Sequence, residues 1–176
     1  MGETVNLPPT PQGKKAVDVP VSVSIQSADF DLSQEVARLR QNDAMVGAVC
    51  SFVGTVRDRQ GQEEVRSLEL EHYPGMTEKS ILAMISQAQT RFDIRGVRVV
   101  HRVGLLKPQD QVVLVAVSSS HRLESFQACE FLMDYLKTQA PFWKKETSPE
   151  GVKWVDARVS DDAALARWGI DRPNAR

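Results

Sequence analysis

Apolar and polar residues alternate along Val21 to Ile25, and a period of two predicts a short strand. The period then lengthens. Leu32, Val36 and Leu39 fall on one side of a helix whose start Asp31 is placed to cap. Met45 to Val56 is apolar and rich in β-branched residues, which predicts a strand. Gly47 and Gly54 within it mark a bulge or a close approach of another backbone. Asp58 to Glu64 reads as a polar hairpin loop around Gly61. Val65 to Tyr73 alternates again, with Leu68, Leu70 and His72 on one face. Pro74-Gly75 ends that strand. Thr77 then caps a helix running to about Phe92, with Ile81, Leu82, Ile85 and Ala88 as its apolar stripe.

Two strong strands follow, Val97 to Val103 and Gln111 to Ser118, separated by the turn residues Lys107-Pro-Gln-Asp110. A long helix is predicted from about Leu123 to Thr138, burying Phe126, Cys129, Met133 and Leu136, and Pro141 limits its end. Phe142 to Thr147 and Val152 to Arg158 flank Ser148-Pro-Glu-Gly151 and read as a hairpin. Asp161 to Trp168 predicts a last short helix. Residues 1–20 hold Pro8, Pro9, Pro11 and Pro20 and few large apolar side chains, so they read as a flexible tail before a single domain over 21–170. The mixture of strands, helices and hairpins predicts an α+β fold with a largely antiparallel sheet and flanking helices.

Composition narrows the function classes. With 176 residues, 41% hydrophobic and 26% charged, the chain can bury a proper core without a disulfide or metal staple. Its 22 Lys+Arg against 23 Asp+Glu give a net charge of −1, which excludes a generally basic nucleic-acid binder. The longest apolar run, Val112 to Val117, is too short to span a bilayer, and no secretory signal is visible. Two cysteines make neither a disulfide framework nor a thiolate zinc site, and a cytoplasmic setting follows as the expectation.

Candidate chemistry sits in a few places. Lys137-Thr-Gln-Ala-Pro-Phe-Trp-Lys144-Lys145 carries three positive charges and no negative one, and the turn forced by Pro141 would bring Lys137 and Lys144 to one pocket. Clustered cations attract anions, and a lysine beside another cation is activated as a nucleophile or proton carrier. The same residues also fit a helix-end lysine satisfying the macrodipole and solvated strand lysines. Ser118-Ser-Ser-His121-Arg122 joins a strand to a helix. Backbone N–H groups there favour an anion, histidine shuttles protons and arginine grips phosphate, although a serine cap alone also explains the serines. Arg57 and Arg158 stand at strand ends, where phosphate binding and plain solvation compete as explanations. Glu69 and Glu71 share one strand face and His72 takes the other, which argues against a metal site. His101 reads as structural, and Cys50 and Cys129 as core residues.

Longer motifs go further. Leu70-Glu-His-Tyr-Pro-Gly-Met-Thr-Glu-Lys79, His101-Arg-Val-Gly104, Ser120-His-Arg122 and Met133-Asp-Tyr-Leu-Lys-Thr-Gln-Ala-Pro-Phe-Trp-Lys-Lys-Glu146 occur in this order. Together they closely resemble the large, catalytic subunits of molybdopterin synthase, over roughly Met45 to Arg158. The resemblance implies an α/β hammerhead-type fold and a sulfurtransferase that converts cyclic pyranopterin monophosphate into molybdopterin. It implies a small ubiquitin-like partner subunit that donates both sulfurs from a C-terminal thiocarboxylate, and a homodimer of large subunits within a heterotetramer. No metal or other cofactor is implied. The family's catalytic lysines fall on Lys137 and Lys144, and its substrate-binding positions on Arg57, His121, Arg122 and Arg158. Phe52, Met133 and Phe142 would line the groove that takes the partner's tail, although each also fits an ordinary core.

Overall fold

The computed structural model describes residues 20–155, 164 and 166–170. In chain order the elements are β1 (Val21–Gln26), α1 (Leu32–Arg38), β2 (Ala48–Thr55), β3 (Arg59–Gln60), β4 (Glu63–Glu64), β5 (Ser67–His72) and α2 (Met76–Arg91). Then come β6 (Gly96–Arg102), β7 (Gly104–Leu106), β8 (Gln111–Ser119), α3 (Arg122–Gln139), β9 (Phe142–Ser148) and β10 (Gly151–Val155). The strands form two four-stranded sheets, β1-β6-β8-β2 and β10-β9-β5-β7, with β3-β4 as a small ribbon. Every pairing is antiparallel except β1 with β6. This is the expected α+β architecture.

Strand parity sorts the core. Val97 and Val99 of β6, with Val113, Val115 and Val117 of β8, face α2 and α3, where Ile81, Met84, Ile85, Phe131 and Leu132 complete the main core. Fully burying each of these large side chains contributes roughly 1.5–3 kcal/mol. The intervening Val100, Leu114 and Ala116 face the opposite side and pack with Phe30 and Leu39, which bracket α1. Asp31 caps α1 as expected, its Oδ1 accepting from the Gln34 N–H at 3.0 Å. Glu35 of that helix meets Arg98 of β6 at 2.6 Å, and Arg98 also donates to the Ser22 and Ser24 hydroxyls. That network satisfies a charge pair on an otherwise apolar face, as burial requires.

The second sheet begins with a switch that the apolar pattern hid. The strand predicted over Val97 to Val103 ends at Arg102, and after Val103 the chain enters β7 in the other sheet. Gly104 makes the corner at φ 85°, a conformation that side chains with a Cβ rarely adopt. Gly47 has a different reason to be glycine. A Cβ there would overlap the Ser120 carbonyl oxygen, and the Gly47 N–H donates to the Ser119 carbonyl at 3.0 Å.

Three expectations need correction. Gly75, not Thr77, is the N-cap of α2, with Glu78 accepting from its N–H at 2.7 Å. Thr77 is buried instead, accepting from the Tyr73 N–H and donating to the Pro141 carbonyl. Leu82 and Phe126 are 45% and 61% exposed. In α3 the expected Cys129, Met133 and Leu136 are buried, and the face they share also takes in Ser125, Ala128, Phe131 and Leu132, so that Ser125 rather than Phe126 is buried in the first turns. The expected tail lies outside the described residues except for Pro20, and the expected helix over Asp161 to Trp168 is described only at 164 and 166–168. Trp168 packs edge-on against Phe92 and Phe131 and donates from Nε1 to Asp134 at 2.8 Å. Among the described residues no helix is long and apolar enough to cross a membrane.

Candidate active site

The ends of β2, α3, β6 and β9 surround a cavity of about 670 Å³. Each element supplies side chains by its own periodicity. The last turns of α3 present Met133, Leu136 and Lys137, spaced three and four apart and therefore on one face. Strand β9 presents Phe142, Lys144 and Glu146, every second residue. The end of β2 gives Phe52 and Gly54, and the chain beyond it gives Arg57 and Arg59. Pro141 makes the turn that the sequence placed between the two lysines, and its carbonyl is tied to Thr77 of α2 at 3.1 Å.

The expected residues thus divide. Arg57, Lys137 and Lys144 line one cavity, and so do Phe52, Met133 and Phe142. All three cations are exposed to it at its mouth, while Met133 is 9% exposed in its wall. Four cations, counting Arg59, face one described carboxylate, Glu146, so the cavity favours an anion. His121 and Arg122 stand elsewhere. They start α3, an 18-residue helix that has Lys137 in its last turn. At 1.5 Å per residue, Arg122 is about 22 Å along the axis from Lys137. His121 is the N-cap residue but makes no side-chain cap bond. Ser119 is not the cap either, since its hydroxyl donates to the Asp93 carbonyl at 2.6 Å. Arg158 lies outside the described residues.

Pleating separates the neighbours Lys144 and Lys145. Lys144 lines the cavity. Lys145 turns to the other face of the sheet, where it meets Glu69 at 3.2 Å and Glu71 at 3.8 Å and lies 4.8 Å from the Trp154 ring centroid. Glu69 and Glu71 do share a face, as alternation requires, and that face belongs to Lys145. His72 is on the other side, 3.9 Å from Glu78.

Three charged or titratable residues of the cavity were not expected in the site: Arg59, Glu146 and His101. Glu146 had a signal, because it continues the alternation of Phe142 and Lys144. His101 opens one of the family motifs, but nothing in the chain's local pattern placed it in the cavity, because contact between β6 and β9 is a tertiary fact. Its ring stacks on Phe142 with centroids 3.8 Å apart and planes 17° apart. Burial pushes its pKa down to about 4. The Arg102 carbonyl opposes this by accepting a hydrogen bond, and the charges of Lys144 and His72 add to the lowering. His101 is therefore neutral at physiological pH. The cysteines behave as core residues. Cys129 is 4% exposed, and burial raises its thiol pKa far above the usual range, with Cys50 beside it adding to the effect.

Comparison with known proteins places this geometry. The family model described as MoaE protein matches residues 25–139. A molybdopterin synthase catalytic subunit of Ralstonia nicotianae is 56% identical over 154 residues, covering 88% of both chains. The chain belongs to the MoaE family of molybdopterin synthase catalytic subunits. Solved MoaE structures agree with the fold. The MoaE protein of Burkholderia ambifaria superposes with a TM-score of 0.75 at 56% identity, over 86% of this chain and 99% of that one. Molybdopterin synthase from Staphylococcus aureus gives a TM-score of 0.69 at 31% identity, over 76% of this chain and 96% of that one. The MoaE match includes Arg57, His101, His121, Arg122 and Lys137, while Lys144 and Glu146 lie just beyond it.

Proposed function

We infer that this chain performs the MoaE reaction. It is a sulfur transferase of molybdenum cofactor biosynthesis, converting cyclic pyranopterin monophosphate to molybdopterin with two sulfurs taken from the thiocarboxylate of a small ubiquitin-like subunit. The observation that carries the assignment of the site is the convergence of Arg57, Lys137 and Lys144 on one cavity. The substrate brings a cyclic phosphate and the donor brings a thiocarboxylate, so both reactants are anions. An arginine fork suits the phosphate, and a lysine suits a compact negative charge that moves during reaction.

In this reading Lys137 is the principal catalytic residue. It holds the thiocarboxylate against the pterin and carries protons during attack and release. Lys144 supports it from β9. Phe52, Met133 and Phe142 form the apolar wall of the groove that takes the partner's extended tail. The cysteines take no part, since the sulfur arrives from the partner.

His121 and Arg122 serve the site of a second copy. Their distance from Lys137 within one chain supports this, and so does the exposure of Leu123 (60%) and Phe126 (61%) on the turn that carries Arg122. Arg158 completes the phosphate grip. The functional unit is a homodimer of this chain with a small subunit for each copy, working in the cytoplasm, with residues 21–170 as one domain. Reconstitution tests the proposal. The purified chain, a thiocarboxylated small subunit and cyclic pyranopterin monophosphate should yield molybdopterin, and absence of product would refute it.

A further inference from the structure

His101 has no place in that scheme, yet its surroundings are specific. It is 7% exposed and lines the cavity together with the apolar Val113, Met133, Leu136 and Phe142 and the buried Glu146. Its Nδ1 lies 2.9 Å from the Arg102 carbonyl oxygen. A carbonyl only accepts, so Nδ1 carries the proton and Nε2 of the neutral ring presents a lone pair. No described residue bonds that lone pair, and it is not sealed away. The one sealed and unpartnered side-chain atom among the described residues is Ser118 Oγ. The Phe142 ring stacked at 3.8 Å fixes the imidazole plane, and Phe142 in turn sits one alternation from Lys144.

A buried acceptor aimed at a ligand cavity, with its tautomer and plane both fixed, is the kind of group that selects a partner by its donors. Cations at the mouth of this cavity attract any anion and do not distinguish one phosphate ester from another. A pterin differs from a sugar phosphate in carrying ring and exocyclic N–H donors on a flat heterocycle. We propose that His101 is a substrate-reading residue, its Nε2 accepting a hydrogen bond from an N–H of the pterin. The cationic mouth then holds the phosphate and the sulfur donor, and the imidazole in the wall recognises the heterocycle. Low basicity suits the task, because a protonated ring would offer a donor where an acceptor is needed.

The inference rests on the sulfur-transfer reading, and the test separates the two. Wild-type complex with thiocarboxylated small subunit is assayed first, and lack of turnover there counts against the sulfur-transfer reading itself. His101→Phe keeps an aromatic ring on Phe142 and removes the acceptor, whereas His101→Gln keeps an acceptor at the ε position. Thermal unfolding shows which variants are folded, and His101→Met replaces His101→Phe if the latter is not. For the acceptor-less variant we expect KM for the pterin to rise about tenfold, the equivalent of one hydrogen bond, with kcat within about threefold. His101→Gln should restore KM to within about threefold of wild type. A wild-type KM in the folded acceptor-less variant, or a Gln variant as impaired as it is, would overturn the proposal.

Discussion

Arg122 opens and Lys137 closes the same helix, α3, so no rotation of side chains within one chain brings these two cations together. If both serve one reaction, each active site draws on two chains. Arg122→Ala and Lys137→Ala should then each be inactive alone and complement each other when mixed. Random exchange makes half of the dimers mixed, and each mixed dimer has one site with both residues intact. The mixture should therefore recover about a quarter of wild-type turnover. An inactive mixture, with exchange verified, would refute a site shared between the two chains.

Removing Lys137 tests the chemistry more directly. Lys137→Ala should lower turnover by about 10²- to 10⁴-fold, the usual span for a positioned proton-transfer group. Binding of the small subunit, followed by gel filtration, should be retained, because Lys137 is an exposed side chain at a helix end. Lys144→Ala should cost less turnover than Lys137→Ala. Equal activity of Lys137→Ala and wild type would remove it from the catalytic role.

His101 also predicts a pH dependence of stability. Its folded pKa, about 4, is below the ordinary 6.5, so the unfolded chain binds the proton more tightly. Its burial is therefore harmless above pH 6.5, and stability falls as the pH drops from there toward 4. The full loss is about 3 kcal/mol. Urea unfolding of wild type and His101→Gln should converge or cross between these pH values. Parallel curves would mean that His101 does not stay neutral in the fold.

Glu35 and Arg98 make a separate, structural prediction. Each side chain is 10% exposed, and the pair joins α1 to β6 on the face of the sheet away from α2 and α3. Glu35→Ala strands the guanidinium and should destabilise by about 3–5 kcal/mol, while replacing both residues with apolar ones should recover most of that loss. Chemical denaturation measures both. Turnover at low temperature should be unchanged.

The sequence carried whatever depends on neighbours along the chain. Alternation located β1 and β5, an apolar run located β8, Asp31 announced α1, and Pro141 announced the turn between Lys137 and Lys144. Helix phase was less secure, because Phe126 and Leu82 are as apolar as their buried neighbours and only the position of the sheet decides which residues it covers. The change of sheet at Gly104 lay within an unbroken apolar run. His101 entered the cavity through contact between strands distant in sequence, which no local period encodes. His121 and Arg122 were legible as a motif, but their remoteness from Lys137 needed the length of α3.

The separation of Lys144 from Lys145 makes the cavity's charge a matter of odd and even. Two identical side chains, adjacent in the chain, have different chemical surroundings only because a strand turns over at every residue. Inserting one residue between Pro141 and Phe142 would leave the composition of cations untouched and exchange their addresses. Lys145 would enter the cavity, while Lys144 would meet Glu69 and Glu71. Phe142 and Glu146 would change sides with it. The pairing of β9 with β5 and β10 therefore guards the chemistry as a reading frame guards a message, and small length changes here are far less tolerable than substitutions.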